Sequence, residues 1–321
     1  MLRRVEARPV ATVIIGTRDR ASRLKRCLRS LHEDRSQTSC EVLIVDNGSS
    51  DDTAKVVADA AELSRRPMRL LHEPVAGVSY ARNSAIRAAR GHYLLFTDDD
   101  VVIHDGWIDA LVGAFESGVV AVGGRVCPQF PQGRPAWLGD YPNPVTLNDE
   151  GTVPFEMSPD LLPVGANMAT RRDALESMAT PFNTLLGHDR ALSIGSEDTY
   201  LLKRLSMIGR IVYTPAAVVD HPIDDPVRLS FEGAQRRYFQ TGIGYERCRR
   251  LLEGTAPGHV RRLELLARAM RYAVIAHRRC ARGAVRQPDL AREELVALLT
   301  VGKHLEMLSS DLAMWCARRF Q

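Results

Sequence analysis

Residues 91–100 read Gly-His-Tyr-Leu-Leu-Phe-Thr-Asp-Asp-Asp, an apolar run that ends on a threonine and three consecutive carboxylates. Tyr93–Thr97 suits a buried strand, since the run is short and is bounded by glycine on one side and charge on the other. Carboxylates crowded at a strand end repel one another unless a cation sits among them. Asp98, Asp99 and Asp100 therefore suit a divalent ion that also holds diphosphate oxygens. A solvated acidic turn or a helix N-cap uses the same residue type, and the run alone does not separate these readings.

Upstream, the same pattern repeats. Ala11–Ile15, Glu41–Val45 and Arg69–His72 read as strands, while Arg20–Leu31, Asp52–Leu63 and Ser79–Ala89 carry apolar residues at helical spacing. Strand–helix alternation predicts an α/β fold with a mostly parallel sheet and helices on both faces. Ligands of such sheets gather at the carboxyl ends of the strands. Those ends here are Gly16-Thr17-Arg18, Asp46-Asn47-Gly48 and Asp98-Asp99-Asp100, all of them polar. In Asp46–Thr53 the Asn-Gly pair turns the chain and Ser50 or Asp51 starts a helix, which leaves Asp46 free to accept a hydrogen bond from a ligand.

Downstream, Val119–Val126 reads as a further strand. Pro128–Pro163 is rich in Pro, Gly, Asn and Asp and reads as a long loop, of the kind that serves as an active-site lid or specificity segment. Structure resumes at Pro163–Thr170. A helix over about Glu197–Met207 stops at Gly209, and a strand follows at Arg210–Tyr213. Beyond Val227 the sequence is helical and arginine-rich.

Composition limits the classes. The 321 residues are 45% hydrophobic and 26% charged, as in a globular protein with room for one large domain and an appendage. Six cysteines without CxxC or CxxH spacing argue against a structural zinc site or a disulfide framework and fit reduced thiols. Val10–Ile15 is too short for a signal peptide, and no apolar run is long enough for a transmembrane helix. A cytoplasmic protein, or one peripheral at a membrane, is expected. The net charge of +4 is too slight to name a partner.

The succession VIIGTRDR (Val13–Arg20), VLIVDNGSSDDT (Val42–Thr53), GVSYARNSAI (Gly77–Ile86), GHYLLFTDDD (Gly91–Asp100), GANMATRRDAL (Gly165–Leu175), SEDTYLLKRL (Ser196–Leu205) and VVDHP (Val218–Pro222) resembles the family 2 glycosyltransferases. It covers roughly residues 9 to 225 with the motifs in the family's order. The resemblance implies a GT-A (Rossmann-like) fold over residues 1–226, with a nucleotide-binding half at about 9–126 and an acceptor-binding half at about 127–226. Residues 227–321 form a helical C-terminal extension. The activity implied is sugar transfer from a nucleotide diphosphate donor to an acceptor hydroxyl, with inversion and with Mn²⁺ or Mg²⁺.

Position by position, the resemblance implies the following roles. Thr17 and Arg18 lie where the first strand end meets the nucleobase, although the family often has Tyr-Asn where this chain has Arg18-Asp19. Asp46 accepts uracil N3–H, which favours a UDP-sugar. Arg82 and Asn83 lie near the nucleotide; by itself Arg82 reads equally as a surface helix arginine. Asp98 contacts ribose or metal, Asp99 the donor, and Asp100 is the principal metal ligand. His221 joins it, whereas a lone histidine before proline is otherwise a structural or surface residue. Asn167 lines the floor beneath the transferred sugar. Glu197 and Asp198 also suit an ordinary acidic first turn; the resemblance makes Asp198 the general base and gives Glu197 a role in orienting the acceptor. His32, His72 and His188 receive no role.

Arginines from Arg236 to Arg286 interleave with Leu, Ala and Tyr. They suit a solvated helical face, a homodimer contact or an amphipathic surface on anionic lipid. No nucleic-acid-binding motif accompanies them. Two rival functions were set against the transferase. A nucleotidyltransferase would carry a Gly-rich, Lys-bearing phosphate loop, which Gly16-Thr17-Arg18-Asp19 is not. An inactive sugar-nucleotide scaffold would not need the full set of Asp98–Asp100, Asp198 and His221.

Overall fold

The computed structural model describes residues 8–139, 149–187, 194–254, 259–281 and 288–308, with 313 and 316; for 259–262, 279–281 and 308 it describes the backbone alone. Part of the long loop (140–148), His188 and the end of the arginine-rich run (282–286) lie outside the described residues. Contacts divide the chain into two compact units, one of 1–127, 147–183 and 201–222, the other of 128–146, 184–200 and 223–321. The second unit thus takes in two segments that precede the C-terminal extension expected from residue 227.

The first unit opens with β1 (Ala11–Thr17), α1 (Ala21–Glu33), β2 (Cys40–Asp46), α2 (Thr53–Leu63), β3 (Met68–His72), α3 (Val78–Ala88) and β4 (Tyr93–Asp98). β5 (Val102–Ile103), α4 (Trp107–Gly113), β6 (Val119–Gln129), β7 (Phe155–Glu156), β8 (Asn167–Arg171) and α5 (Arg172–Glu176) follow. α6 (Glu197–Leu205), whose residues 197–200 belong to the second unit, and β9 (Arg210–Pro222) come last. The sheet order is β3-β2-β1-β4-β8-β6-β9-β5, with β7 paired to β9. β3, β2, β1 and β4 are parallel, and β8 adds to β4 in the antiparallel sense.

Alternation along the parallel strands builds two cores. Val13, Ile15, Val42, Ile44 and Leu95 face α1 and α4, where Leu24, Leu28, Trp107 and Leu111 meet them. Ile14, Leu43, Val45, Leu94 and Phe96 face the other way, onto Ala81 and Ala85 of α3 and Leu201, Leu202 and Leu205. Strands buried on both faces read as continuous β-branched runs, so this half was visible in the sequence. Parallel register then sets the strand tips level, with Thr17 opposite Asp46 and Gly16 opposite Asp98.

One feature differs from the sequence reading. Arg210–Tyr213 and Val218–Asp220 are parts of one strand, β9, so His221 lies within a strand rather than after one. Pro215 removes one ladder donor, which made the run look broken, but the strand continues through it. The long loop is partly irregular, with a 3₁₀ turn at Ala136–Leu138 and the short β7.

In the second unit, α7 (Pro226–Leu229), α8 (Phe231–Glu253), α9 (His259–Ala281) and α10 (Pro288–Leu308) complete the chain, and α10 packs on both α8 and α9. Ser230 caps α8 by accepting from Gly233 N–H. Phe239, Ile243, Leu266 and Leu305 form one apolar cluster, and Phe231, Tyr238 and Leu295 belong to another. Several arginines of α8 serve buried glutamates. Arg247 grips Glu306 with two hydrogen bonds of 3.0 Å, and Arg249 binds Glu246.

Candidate active site

The β4 tip is built from three carboxylates in different surroundings. Thr97 is held below it, its hydroxyl donating to Ala166 O at 2.8 Å. Asp98 is half-buried, whereas Asp99 and Asp100 are almost fully buried. The Thr17 hydroxyl donates to Asp99 Oδ2 at 2.7 Å, and Arg20 Nη1 reaches Asp99 Oδ1 at 3.1 Å and Asp100 Oδ2 at 3.3 Å. Arg23 stands 3.8 Å from the same Asp100 oxygen. Burial pushes the Asp99 carboxyl up to about 6, against the opposing pull of Arg20 and the Thr17 hydroxyl. Cys27 lies under the cluster, its sulfur 3.5 Å from Asp98 O. Burial, with the carboxylates above, drives its thiol far up, which leaves it a packing residue.

β9 brings the fourth group. Asp98, Asp100 and His221 each offer a ligand atom, and those atoms lie within 4.8 Å of one another. His221 is buried, with Nε2 3.5 Å from Asp100 Oδ1. Its position follows from the register of β5 on β9, which sets Val102 opposite Asp220. Two carboxylates and an imidazole form a donor set that fits Mn²⁺ and also accepts Mg²⁺.

Around this cluster the other strand tips are tied together. Asp19, in the left-handed region at φ 50°, accepts from Ser50 N–H and hydroxyl, and these bonds hold its carboxyl below the usual range. Asp51 accepts from Ala21 N–H at 2.8 Å, so the β1 and β2 tips brace each other. Asp46 accepts Ser49 N–H through Oδ1, while Oδ2 lies 3.8 Å from His72 Nδ1. Arg18 is a partly exposed neighbour of Asp19 at 3.7 Å.

Arg82 is not a surface helix arginine. It is buried with Nη2 3.4 Å from Asp98 Oδ1 and its guanidinium over the Phe182 ring. A Cβ at Gly165 would stand 2.5 Å from that nitrogen, so the glycine of Gly165-Ala166-Asn167 leaves Arg82 its place.

Two predicted ligand contacts receive other work. Asn83 accepts from Phe182 N–H at 3.0 Å and donates to Phe182 O at 2.7 Å, so its amide clamps that segment. Asn167 is fully buried in β8. Its Oδ1 accepts the Trp107 indole N–H at 2.8 Å, and Nδ2 donates to Arg125 O and Ala217 O at 2.9 Å each. A Cβ at Gly124 would fall 2.4 Å from this amide. With these bonds Asn167 fastens β8 to its neighbours, and its amide is engaged by the protein itself.

Glu197 and Asp198 belong to the second unit, where they open α6 after Ser196, itself at φ 74°. Glu197 is buried; Asp198 is partly exposed and accepts from Thr199 N–H at 2.7 Å. Burial and the nearby charge of Asp198 raise the Tyr245 phenol.

Sequence reasoning missed Arg20, Arg23 and Trp107. The first two had a usable signal: they sit three apart at the start of a helix that follows a strand tip, so they share a face.

A family model described as Glycosyl transferase family 2 matches residues 12–178. The chain is 26% identical over 205 residues to the succinoglycan biosynthesis protein ExoM of Rhizobium meliloti (strain 1021), covering 63% of this chain and 62% of that protein. It is 31% identical over 130 residues to the glycosyltransferase AglE of Haloferax volcanii, covering 40% and 43%. In both cases it spans less than two thirds of the relative's length. Among solved structures it is similar to the mannosyltransferase PcManGT from Pyrobaculum calidifontis, obtained in complex with GDP-Man and Mn²⁺. The TM-score is 0.55 at 21% identity, over 94% of this chain and 75% of that one. That likeness is one of fold, and the fold is GT-A with a helical C-terminal region. Because the family model covers over half of its length, the chain belongs to glycosyl transferase family 2.

Proposed function

We propose that the chain is an inverting glycosyltransferase that moves a sugar from a UDP-sugar to an acceptor hydroxyl. The observation that carries this reading is the convergence of Asp98, Asp100 and His221 at the carboxyl ends of the parallel strands, beside Thr17, Asp46 and Arg82. Asp100, His221 and Asp98 would hold a divalent cation, which supplies neutralisation of the diphosphate's charge as it leaves. PcManGT was solved with Mn²⁺, which supports that choice of ion.

The chain's own residues supply the rest. Asp46 accepts the uracil N3–H, and buried Arg82 offers a fixed positive charge to the donor. Asp198 takes the proton of the acceptor hydroxyl as that oxygen attacks the anomeric carbon. The bond from that carbon to the diphosphate oxygen breaks on the opposite face, so the configuration inverts. Glu197 orients the acceptor.

Thermal shift with a panel of nucleotide sugars tests the reading. A donor at about a hundred times its dissociation constant stabilises the protein by roughly 2.7 kcal/mol. Uridine donors with Mn²⁺ should raise Tm, and EDTA should remove the shift. Stabilisation by no nucleotide sugar in the panel would overturn the proposal.

A further inference from the structure

α9 presents an apolar stripe that nothing among the described residues covers. Leu266, Ala269 and Ala276 face inward and are buried. Leu263, Ala267, Met270 and Val274, spaced four, three and four residues apart, form a second row round the helix and are exposed. Leu263 is 57% exposed, Met270 47%, Val274 50% and the adjoining Ile275 54%. Large apolar side chains in one row at these exposures mark a surface that meets something.

Charge indicates what it meets. The helix sequence holds six arginines and one acidic residue, Glu264. Arg271 and Arg278 flank the stripe on its outer side and Arg268 lies beyond them. All three are exposed and make no ion pair among the described residues, unlike Arg247 and Arg249 of α8. A second copy docked on this face would set arginine against arginine with almost no acid to offset them. An anionic bilayer offers what the face needs, namely acyl chains for the stripe and headgroup phosphates for the arginines. No helix among the described residues is long and apolar enough to cross a membrane, so the helix would lie on the surface.

We infer that α9 docks the protein on anionic membranes, with Leu263, Met270, Val274 and Ile275 dipping below the headgroups and Arg268, Arg271 and Arg278 among them. This inference does not depend on the donor or the acceptor.

Flotation of the full chain with two kinds of vesicle tests it: phosphatidylcholine alone, and an equimolar mixture of phosphatidylcholine and phosphatidylglycerol. Binding should require phosphatidylglycerol and weaken with added salt. Arg271→Ser and Arg278→Ser should each weaken it roughly fivefold, and Val274→Asp should abolish it with an unchanged circular dichroism spectrum. Equal binding to both vesicle types, or none to either, would overturn the inference. So would a dimer in sedimentation that Val274→Asp converts to monomer, because the face would then belong to a second copy. None of these residues lies in the first unit, so donor binding there should survive whichever result is obtained.

Discussion

His221 Nε2 lies 3.5 Å from Asp100 Oδ1, with both side chains almost fully buried, although 121 positions (221 − 100) separate them in the sequence. The pair makes sense as two ligands of one cation. Asp100→Ala should abolish turnover and remove metal-dependent donor binding. His221→Ala should do the same less severely, because Asp98 and Asp100 remain. Calorimetric titration with Mn²⁺ and a donor checks both. Full activity of either variant in EDTA would remove the cation from the reaction.

Arg20 draws on the other oxygen of the same carboxylate. Its Nη1 is 3.3 Å from Asp100 Oδ2, so a divalent ion held by Asp100 would share that carboxylate with the guanidinium. Arg20→Met should tighten Mn²⁺ binding to the nucleotide-free protein by roughly fivefold, reflecting the approximately 1 kcal/mol that one charge at such a distance carries in water. Binding of a nucleoside diphosphate should weaken, since a cation beside the phosphates is lost. Weaker Mn²⁺ binding in the variant would mean that Arg20 orders the carboxylates instead of competing for them.

Asn167 should behave as a residue of the fold. Asn167→Ala strands the buried Trp107 indole N–H and removes the donor to the buried Ala217 O and the part-buried Arg125 O. A loss of about 2–4 kcal/mol in unfolding free energy is expected, read as a lower urea midpoint with an unchanged slope. Donor affinity of the folded variant should match that of the parent. A normal midpoint combined with raised donor KM would return Asn167 to the sugar site.

The parallel half of the sheet was legible because its strands are buried on both faces and end in chemistry, as Val42–Asp46 and Tyr93–Asp98 do. The other half was less so. β5 is two residues long and has no period to read, and β9 runs through Pro215. In the site, motif position identified Asp98, Asp100 and His221, which the fold brings together. It could not say which way an amide points. Asn83 and Asn167 stand where the motifs put them, but their partners are Phe182 and Trp107, and no spacing encodes those contacts. Arg20 carries no signal of its own for a related reason, since a basic residue at the N-cap of α1 gains meaning only when β4 lies beside β1.

Asp46 should set the base preference. One of its oxygens is engaged by Ser49 N–H, and the other lies 3.8 Å from the His72 ring. Uracil presents an N3–H to such an acceptor, whereas cytosine has no proton there. Asp46→Ala should therefore raise donor KM more than it lowers kcat, as for an interaction felt equally in ground and transition states. Competition among nucleoside diphosphates checks the assignment, and tighter binding of ADP or GDP than of UDP would overturn it.

In the proposed mechanism the chemical step rests on Asp198. It opens α6 in partly exposed surroundings, its Oδ1 accepting Thr199 N–H at 2.7 Å. General base catalysis is typically worth about 10²–10⁴-fold. Asp198→Asn should then raise the barrier by roughly 3–5 kcal/mol. Asparagine keeps the shape and can still accept the Thr199 N–H, so the variant should fold normally and bind donor and Mn²⁺ like the parent. That outcome separates it from Asp100→Ala, in which donor binding fails as well. A single base assisting attack from the face opposite the departing diphosphate also fixes the stereochemistry, because an α-linked donor must then give a β-linked product. The anomeric proton coupling in the NMR spectrum of the product reads this directly. An α-linked product from an α-linked donor would require two displacements or a front-face path, and would take the base role away from Asp198.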